Sequence, residues 1–315
     1  MPSADSSSII LDHYAPSPFS EKVRAYFGIK NLEWFACEQP AMMPKEDLVA
    51  LTGGYRRIPV MQIGADIYFD SAFMIEELER RFPEPSAYTG IGPGFGSALS
   101  LWCDAWGTDS FFMSVVGLLF GGDADIPAPL LEDRAKLFGT PMNPSTLGAA
   151  KPLLQWQLKG HLARLNAQLE GSGGPFLCGA QPNMADASFY FIVWFMHGGK
   201  GETAALLKDY PKLLEWFQRV AEIGHGRRQE TNAEQAIDIA KAAEPAPIVA
   251  ANAPSPLDPP IGARVKVKYR DANTPVLEGT LAAAGLSQIS VRYESPRAGA
   301  VMLHMPRSAG ELSAA

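Results

Sequence analysis

The first eighty residues alternate between short apolar runs and helix-like patterns. The run Ser8-Ile9-Ile10-Leu11 is typical of a buried strand. From Phe19, apolar residues recur at i, i+4, i+7 and i+8, which predicts a helix that Gly28 ends. The next predicted elements are a strand over 32–37, a helix over 45–51, a strand hairpin over 60–63 and 67–69, and a helix over 71–82. We therefore predict a β-α-β-α-β-β-α unit over residues 8–84.

The pattern becomes helical from residue 96, after a stretch rich in Pro and Gly. Predicted helices run over 97–120, 130–138, 152–170, 184–197 and 203–241, and this block shows no convincing strand. Asn183 and Asp186 open the fourth of these helices as an N-cap residue and a carboxylate three positions later, the pattern of a capping box. We therefore predict a second, all-helical domain over residues 96–242.

A Pro/Ala-rich linker over residues 243–261 precedes a third region of different character. Residues 262–315 contain strand-like runs over 264–270, 276–282, 288–293 and 301–305, which predicts a small all-β module of barrel-like form. We expect this module to dock on the helical domain or on a second subunit. Lys266, Lys268 and Arg270 alternate with apolar residues, and we interpret them as a solvated strand face rather than a nucleic-acid contact.

Composition and charge exclude several classes of protein. The chain of 315 residues is 47% hydrophobic with a net charge of −7, so it offers no overall basic field for nucleic acid. Its longest apolar run, residues 111–120, is far shorter than the ~20 residues of a membrane span. The first residues lack the pattern of a secretion signal. We therefore expect a cytoplasmic protein that binds neither membrane nor nucleic acid.

Cysteine and histidine spacing argues against disulfides and against a metal site. Cys37, Cys103 and Cys178 are widely separated, as in reduced cytosolic proteins. The five histidines never fall three to five residues from each other or from a cysteine. Such spacing is what most zinc sites require, so we expect no metal.

The turn from the first strand into the first helix is the strongest candidate for chemistry. Pro18 suits the first helical position because its fixed φ favours a helix start and its missing N–H is not needed there. Ser17 is then the N-cap residue, with its hydroxyl at the positive end of the helix, where an anion such as a thiolate would be stabilised. The alternative is that Ser17 only caps the helix.

Two further segments are candidate ligand contacts. Pro59 directly precedes the residues of a strand, and a cis bond between Ile58 and Pro59 would turn the Ile58 backbone toward a ligand. The sequence leaves the isomer open. Asp70 and Ser71 start the third helix, where they could hold an ammonium and a carboxylate, or act only as helix caps.

The order and spacing of these segments resemble the cytosolic glutathione transferases. Ser17-Pro18-Phe19-Ser20 is similar to the Ser-Pro-Phe-Ser turn of the tau class and the Cys-Pro-Phe turn of the omega class. Ile58-Pro59-Val60 resembles the family's cis-proline strand, and Asp70-Ser71 its Glu-Ser pair. The resemblance covers residues 8–225 and implies an α/β thioredoxin-like N-terminal domain followed by an all-α domain. Residues 262–315 lie outside it.

The resemblance also implies roles for particular residues. Ser17 would donate a hydrogen bond to the sulfur of glutathione, the co-substrate, and hold it as a thiolate. The Ile58 backbone would pair with the cysteinyl part of glutathione, and Asp70 with Ser71 would hold its γ-glutamyl end. Lys45 lies near the position of a lysine that contacts the glycyl carboxylate in similar proteins.

Tyr14 is the alternative catalytic hydroxyl, because it lies close to where tyrosine-type transferases keep theirs. Position 17 holds no cysteine, which argues against the thiol-transfer chemistry of cysteine-type members. Trp106 and Phe112 are candidates for an electrophile pocket, although aromatic residues at such spacing also form ordinary core.

The function implied is that of a glutathione S-transferase acting on a small hydrophobic electrophile, as a homodimer. Two alternatives stay open. The chain could be a non-catalytic binding or regulatory protein with this fold, or a glutathione-dependent isomerase or peroxidase.

Overall fold

The N-terminal unit has the predicted order of strands and helices. The computed structural model describes residues 3–88, 103, 107–122, 125–199, 202–248, 255–269 and 273–315. The first elements are β1 (Ile10–His13), α1 (Pro18–Ile29), β2 (Glu33–Glu38), α2 (Glu46–Thr52), β3 (Val60–Ile63), β4 (Asp66–Phe69) and α3 (Ser71–Arg81). β1 pairs with β2 in parallel and with β3 in antiparallel orientation, and β3 pairs antiparallel with β4. The predicted thioredoxin-like arrangement is confirmed.

Helix α1 forms as its sequence pattern predicts. Pro18 occupies its first turn, and Ser17 is its N-cap residue. Val23, Tyr26 and Phe27 are completely buried on one face of the helix, where they enter the core between the two units. Burial of this face fixes the direction in which the start of the helix points.

The helical unit follows and packs on α1 mainly through the helix Met184–Gly198. Its elements are a single π-helical turn (Gly107–Phe111), α4 (Phe112–Phe120), α5 (Ala128–Phe138), α6 (Pro144–Ala149), α7 (Lys151–Gly171), α8 (Met184–Gly198), α9 (Glu202–Ala205), a 3-10 turn (Leu206–Asp209) and α10 (Pro211–Ile223). The predicted capping box is present: Ala185 N donates to Asn183 Oδ1 over 2.9 Å, and Asn183 N donates to Asp186 Oδ2 over 2.9 Å. Every helix in the described part of the chain is too short or too polar to span a bilayer.

The predicted helix over residues 203–241 is wrong beyond residue 223. Gly224 and Gly226 both adopt positive φ, at 73° and 71°, and this ends α10. A Cβ atom at position 226 would lie 2.6 Å from the Leu32 carbonyl oxygen, so the turn packs directly against the N-terminal unit. The chain then forms β5 (Arg227–Thr231), which pairs in parallel with β2, and α11 (Ala233–Ala242). A strand therefore returns to the first sheet, where none was predicted.

The C-terminal strands continue the same sheet. They are β6 (Arg264–Tyr269), β7 (Leu277–Ala284), β8 (Gln288–Ser295), β9 (Gly299–Pro306) and β10 (Gly310–Ala314). The predicted strand-rich region is confirmed, and the ten strands have the order β10-β6-β7-β8-β9-β4-β3-β1-β2-β5. β9 runs in parallel along β4, so the C-terminal region docks mainly on the N-terminal sheet. It also contacts the helical unit, where Asn273 donates to the Lys136 carbonyl oxygen, and docking on a second subunit stays a prediction. An uncovered β4 edge would offer unpaired backbone groups, and β9 satisfies them within the chain.

The sheet separates two hydrophobic cores. In β1, Leu11 belongs to the core shared with α1 and the helical unit, whereas its neighbour Ile10 belongs to the core formed with α11 and the C-terminal strands. Adjacent residues of a strand point to opposite faces, so each core covers one side of the sheet. Leu48 and Leu51 of α2 belong to the second core. The position of α2 therefore depends on the C-terminal region.

A buried polar network crosses the junction between β4 and β9. His304 Nε2 lies 2.8 Å from Asp66 Oδ1, and Ser290 Oγ lies 2.8 Å from His304 Nδ1. The His304 ring stacks on Tyr68, with ring centroids 4.6 Å apart. Ala246 N donates to the other carboxylate oxygen of Asp66 over 2.9 Å. The C-terminal region is thus attached by polar contacts as well as by strand pairing.

Replacement of this imidazole should weaken the whole fold. His304→Ala leaves the buried Asp66 carboxylate without its ring donor, and we expect a loss of roughly 2 kcal/mol in the free energy of unfolding. Urea unfolding followed by circular dichroism measures it. Arg292→Ala, which removes a half-exposed ion pair with Glu294 on β8, is the control and should change stability by less than about 0.5 kcal/mol. An unchanged midpoint in His304→Ala would show that the network contributes nothing.

Candidate functional site

The predicted site residues line one cavity between the two units. The cavity has a volume of about 580 Å³, within the ~300–1,000 Å³ range of ligand pockets. It lies at the starts of α1 and α3 and is walled on the other side by α4 and α5. The predicted residues that line it are Tyr14, Ser17, Lys45, Ile58, Pro59, Asp70, Ser71 and Phe112. Trp106 lies outside the described residues.

Ser17 closes a tight turn at the start of α1. Its backbone N–H donates to the Tyr14 carbonyl oxygen over 3.0 Å. Its hydroxyl oxygen accepts from the backbone N–H of Ser20 over 3.2 Å, so the side chain caps the helix as predicted. Only 2% of Ser17 is exposed. Because the oxygen is used as an acceptor, the hydroxyl hydrogen is left to donate to a molecule in the cavity.

A buried network that the sequence analysis missed holds this turn. Arg24 donates to the Ala15 carbonyl oxygen and to Glu21 Oε2, each over 2.9 Å. Its Nη1 also lies 2.9 Å from His13 Nδ1. Burial and the adjacent Arg24 charge lower the pKa of His13 to about 3, so the neutral ring accepts this bond. His225 Nε2 lies 3.0 Å from Glu21 Oε1, so the segment after α10 supports the network too.

The Ile58–Pro59 peptide bond is cis, which answers the question that the sequence left open. Pro59 is buried, while Ile58 is half-buried and lines the cavity. Asp70 adopts a positive φ of 73°, which Asp tolerates better than most residues. Its Oδ1 accepts from the backbone N–H groups of the second and third residues of α3, so the predicted capping is present. Asp70 and Ser71 also line the cavity, so their position at the helix start leaves them accessible to a ligand.

A cluster of cations lies at one end of the cavity around a single carboxylate. Arg56 Nη2 donates to Asp133 Oδ1 over 2.7 Å, and Arg134 Nη1 donates to Asp133 Oδ2 over 2.6 Å. Lys45 Nζ donates to the Arg56 carbonyl oxygen over 3.2 Å. Burial, followed by the nearby Arg134 charge, lowers the pKa of Lys45 to about 8. The cationic cluster of Lys45, Arg56 and Arg134 therefore favours an additional anion.

Helix α5 covers this end of the cavity, and we call it the cover helix. Asp133 is the one buried residue of this helix, and the half-buried Leu130 and Leu137 line the cavity. Arg57 Nη2 donates to the Leu137 carbonyl oxygen over 3.1 Å, and Met43 N donates to Asp133 Oδ1 over 3.2 Å. The cover helix is thus attached to the N-terminal unit mainly by polar contacts. Its sequence contains no motif that predicts this role.

The other end of the cavity is apolar. Phe112 is 4% exposed and packs against Phe19, with ring centroids 4.9 Å apart, and against Phe195 at 6.0 Å. All three line the cavity. Its neighbour Phe111 is buried elsewhere and stacks on His161. Of these two neighbouring phenylalanines, Phe112 is the one that lines the cavity.

Two of the three cysteines are poor candidates for a reactive thiol, and the described residues show no candidate metal cluster. Among those residues, no group of three or more His, Cys, Asp and Glu side chains is placed to hold a metal ion. Burial raises the pKa of the Cys37 thiol well above its ordinary value, and burial also raises the pKa of Cys178. Neither cysteine lines the cavity.

Comparisons with known proteins agree with this architecture. The sequence profile of the glutathione S-transferase N-terminal domain matches residues 11–86, and that of the C-terminal domain matches residues 150–219. The crystal structure of a glutathione-S-transferase-like protein from Pseudomonas syringae is 33% identical, with a TM-score of 0.81. It covers 98% of this chain and 100% of its own. That match includes the C-terminal strands.

Two more distant structures share the fold. A glutathione S-transferase from Rhodospirillum rubrum is 21% identical with a TM-score of 0.51, over 67% of this chain and 87% of its own. A tau-class glutathione S-transferase from mango is 15% identical with a TM-score of 0.50, over 75% of this chain and 98% of its own. A search of curated proteins gives no significant match. The chain belongs to the glutathione S-transferase superfamily.

The carboxylate of Asp133 should hold the cover helix in place. In Asp133→Asn, Arg56 and Arg134 lose their shared counter-ion, and we expect roughly 3 kcal/mol of destabilisation. We also expect faster amide hydrogen exchange in residues 128–138 than in the wild type, with little change in residues 151–171. Hydrogen-exchange mass spectrometry measures both segments. Glu132→Gln, at the exposed neighbouring position, is the control, and equal exchange in the two variants would contradict this role.

Proposed function

We propose that this protein is a glutathione transferase, which holds glutathione as a thiolate and adds it to a small apolar electrophile. The observation that carries the proposal is the Ser17 hydroxyl. It lies at the N-terminus of α1 in a cavity with a cationic cluster at one end and aromatic side chains at the other. Membership of the superfamily supports glutathione as the co-substrate. We also propose a homodimer located in the cytosol, as the resemblance implies.

The polar residues of the cavity suit the charges of glutathione, which has two carboxylates and one ammonium. The cationic cluster would take the glycyl carboxylate, with Lys45 as the direct contact. Ser71 and the N-terminus of α3 would take the γ-glutamyl carboxylate, and Asp70 its ammonium. The Ile58 backbone would pair with the cysteinyl residue. In this pose the sulfur lies at the start of α1.

The energy required at the sulfur is modest. A free thiol with a pKa near 8.5 is about 3% ionised at pH 7. Lowering that pKa by about two units requires about 2.7 kcal/mol. One hydrogen bond to a charged group together with a helix N-terminus supplies about this amount. A serine hydroxyl is therefore sufficient, and no general base is needed.

The bound thiolate then attacks the electrophile. For an alkyl halide, the sulfur lone pair forms a C–S bond while the carbon–halogen bond breaks and halide leaves. Phe19, Phe112 and Phe195 would hold the apolar part of that molecule. Exclusion of water by these rings strengthens the interaction between the thiolate and its donor.

Removal of the Ser17 hydroxyl should abolish most of the activity. We expect kcat/KM for glutathione with benzyl chloride to fall by roughly 100-fold in Ser17→Ala, because the thiolate loses its donor. Ser17→Thr keeps the hydroxyl and the helix cap, and should recover most of the rate. Ser145→Ala, at an exposed serine outside the cavity, is the control. Full activity in Ser17→Ala would reject the proposed role.

The charge of Lys45 should set how binding depends on pH. S-methylglutathione, which has no thiol to titrate, should bind about tenfold more weakly at pH 9 than at pH 7, because Lys45 loses its proton as the pH rises through about 8. In Lys45→Arg the cation persists throughout this range, so the change should be smaller than about threefold. Isothermal titration calorimetry measures both. The ammonium of S-methylglutathione titrates equally with both proteins, so it does not affect the comparison. The same pH dependence of binding in the wild type and in Lys45→Arg would contradict the assignment of Lys45 as the direct contact.

A further inference from the structure

The loop between α2 and β3 forms much of the polar wall of the cavity. Five of its residues line the cavity, namely Tyr55, Arg56, Arg57, Ile58 and Pro59. Arg56 belongs to the cationic cluster, and the Ile58 backbone is the proposed contact of the cysteinyl residue. The position of this loop therefore decides where glutathione would lie.

The start of this loop packs directly on the C-terminal region. Gly53 and Gly54 follow α2 with φ values of 64° and 109°. A Cβ atom at position 54 would lie 3.3 Å from the Pro275 ring, and one at position 53 would lie 2.6 Å from a methyl carbon of Leu277. Glycine permits both the positive φ and this close approach. The backbone of the loop thus rests on the segment that enters β7.

Tyr55, on the same loop, belongs to a cluster of three aromatic rings. It stacks on Phe69 of β4, with ring centroids 4.5 Å apart and an angle of 13° between the ring planes. Tyr269 of β6 contacts both rings, with its centroid 5.2 Å from that of Tyr55 and 6.3 Å from that of Phe69. Tyr269 is 4% exposed. Because aromatic pairs prefer particular geometries, this buried ring restrains how the other two lie.

The two rings that Tyr269 contacts are the chain neighbours of residues that face the ligand. Tyr55 directly precedes Arg56 of the cationic cluster, where the glycyl carboxylate would bind. Phe69 directly precedes Asp70, the N-cap residue of α3, where the γ-glutamyl ammonium would bind. Tyr269 therefore lies behind both ends of the proposed glutathione site.

The C-terminal region also contacts the opposite wall of the cavity. Asn273 donates to the Lys136 carbonyl oxygen on the cover helix. That helix carries Asp133, the carboxylate at the centre of the cationic cluster. The loop and the cover helix therefore both have contacts with residues that follow β6.

We propose that Tyr269 is a positioning residue of the glutathione site, and that β6 thereby contributes to the affinity for glutathione. This inference rests on the proposed function. The side chains that line the cavity in the described part of the chain end at Phe195, so Tyr269 acts through Tyr55 and Phe69. Its role concerns binding and not the thiolate, because the turn that carries Ser17 is held separately by Arg24.

Such a coupling between β6 and the cavity is reciprocal. If docking of β6 strengthens the binding of glutathione, then bound glutathione must strengthen the docking of β6 by the same factor. A ligand in the cavity should therefore slow the local opening of strands that do not touch it.

Replacement of the Tyr269 ring should weaken binding and change the chemistry little. In Tyr269→Leu, which stays apolar but loses the ring, we expect the Kd for S-methylglutathione to rise roughly tenfold. The kcat with benzyl chloride at saturating glutathione should stay within about twofold of the wild type. Tyr269→Phe keeps the ring and should restore the affinity. Isothermal titration calorimetry measures the Kd of each protein.

Val291→Ala is the matched control, because it removes buried apolar volume from the same core on β8. Both this change and Tyr269→Leu should lower the free energy of unfolding. A loss of folded protein lowers the number of binding sites per chain but leaves the Kd unchanged, so the control should bind as the wild type does. A purely structural role for Tyr269 predicts the same unchanged Kd in Tyr269→Leu, and that result would overturn the inference.

Hydrogen exchange of the wild type tests the coupling without any substitution. Saturating S-methylglutathione should slow amide exchange in residues 264–269 and 277–284 by roughly tenfold. It should change exchange little in α10, residues 211–223, of which no described residue lines the cavity. Equal protection of these segments, or none in β6 and β7, would contradict the coupling.

The inference and the proposed function fail in different ways. A wild type that binds neither glutathione nor S-methylglutathione would overturn both. A wild type that binds them, together with an unchanged Kd in Tyr269→Leu, would overturn only the role of Tyr269. Full activity in Ser17→Ala, together with a raised Kd in Tyr269→Leu, would reject the proposed role of Ser17 and support that of Tyr269.

Discussion

The architecture of the cavity depends on one short turn between β1 and α1. Residues 14–17 form it, and their backbone is held by the Ser17 N–H bond to Tyr14 O and by Arg24, which donates to the Ala15 carbonyl oxygen. Arg24 is buried and must be satisfied by neighbours, and Glu21 and His13 provide those contacts. The turn therefore cannot shift without leaving buried charges unpaired. This rigidity places a hydroxyl at a helix N-terminus, which is the basis of the proposed chemistry.

The additional strands contribute to the cavity although they lie outside it. α2 packs Leu48 and Leu51 into the core that α11 and the C-terminal strands complete. Arg297 donates to Asp47 over 2.5 Å at the start of α2, directly after Lys45 and Glu46. Asn273 also donates to the Lys136 carbonyl oxygen on the cover helix. The C-terminal region thus contacts both α2 and the cover helix, and the cationic cluster lies between these two helices. In this chain the sheet of the glutathione-transferase fold is extended at both edges, by β5 beside β2 and by β9 beside β4.

The site residues that the sequence predicts are those whose role shows in the residues next to them in the chain. Ser17 is marked by the proline that follows it, and Asp70 by its place at a helix start, so their positions follow from capping rules alone. Asp133 and Arg134 could not be found in this way, since they act across the space between two units. Nothing in residues 128–138 shows that this helix covers a cavity. The strand β5 was missed because Arg227–Thr231 is polar and lies at an exposed edge, where strands carry no hydrophobic alternation.

The ionisation of bound glutathione is the decisive measurement for the role of the Ser17 hydroxyl. Glutathione is added in saturating amounts to the purified protein, and thiolate absorbance is followed in the ultraviolet as the pH is lowered. We expect the thiol of bound glutathione to titrate about two units below its pKa in water, and we expect this shift to be lost when Ser17 is replaced by alanine. A bound thiol that titrates as it does in water, or an identical shift without the Ser17 hydroxyl, would contradict it.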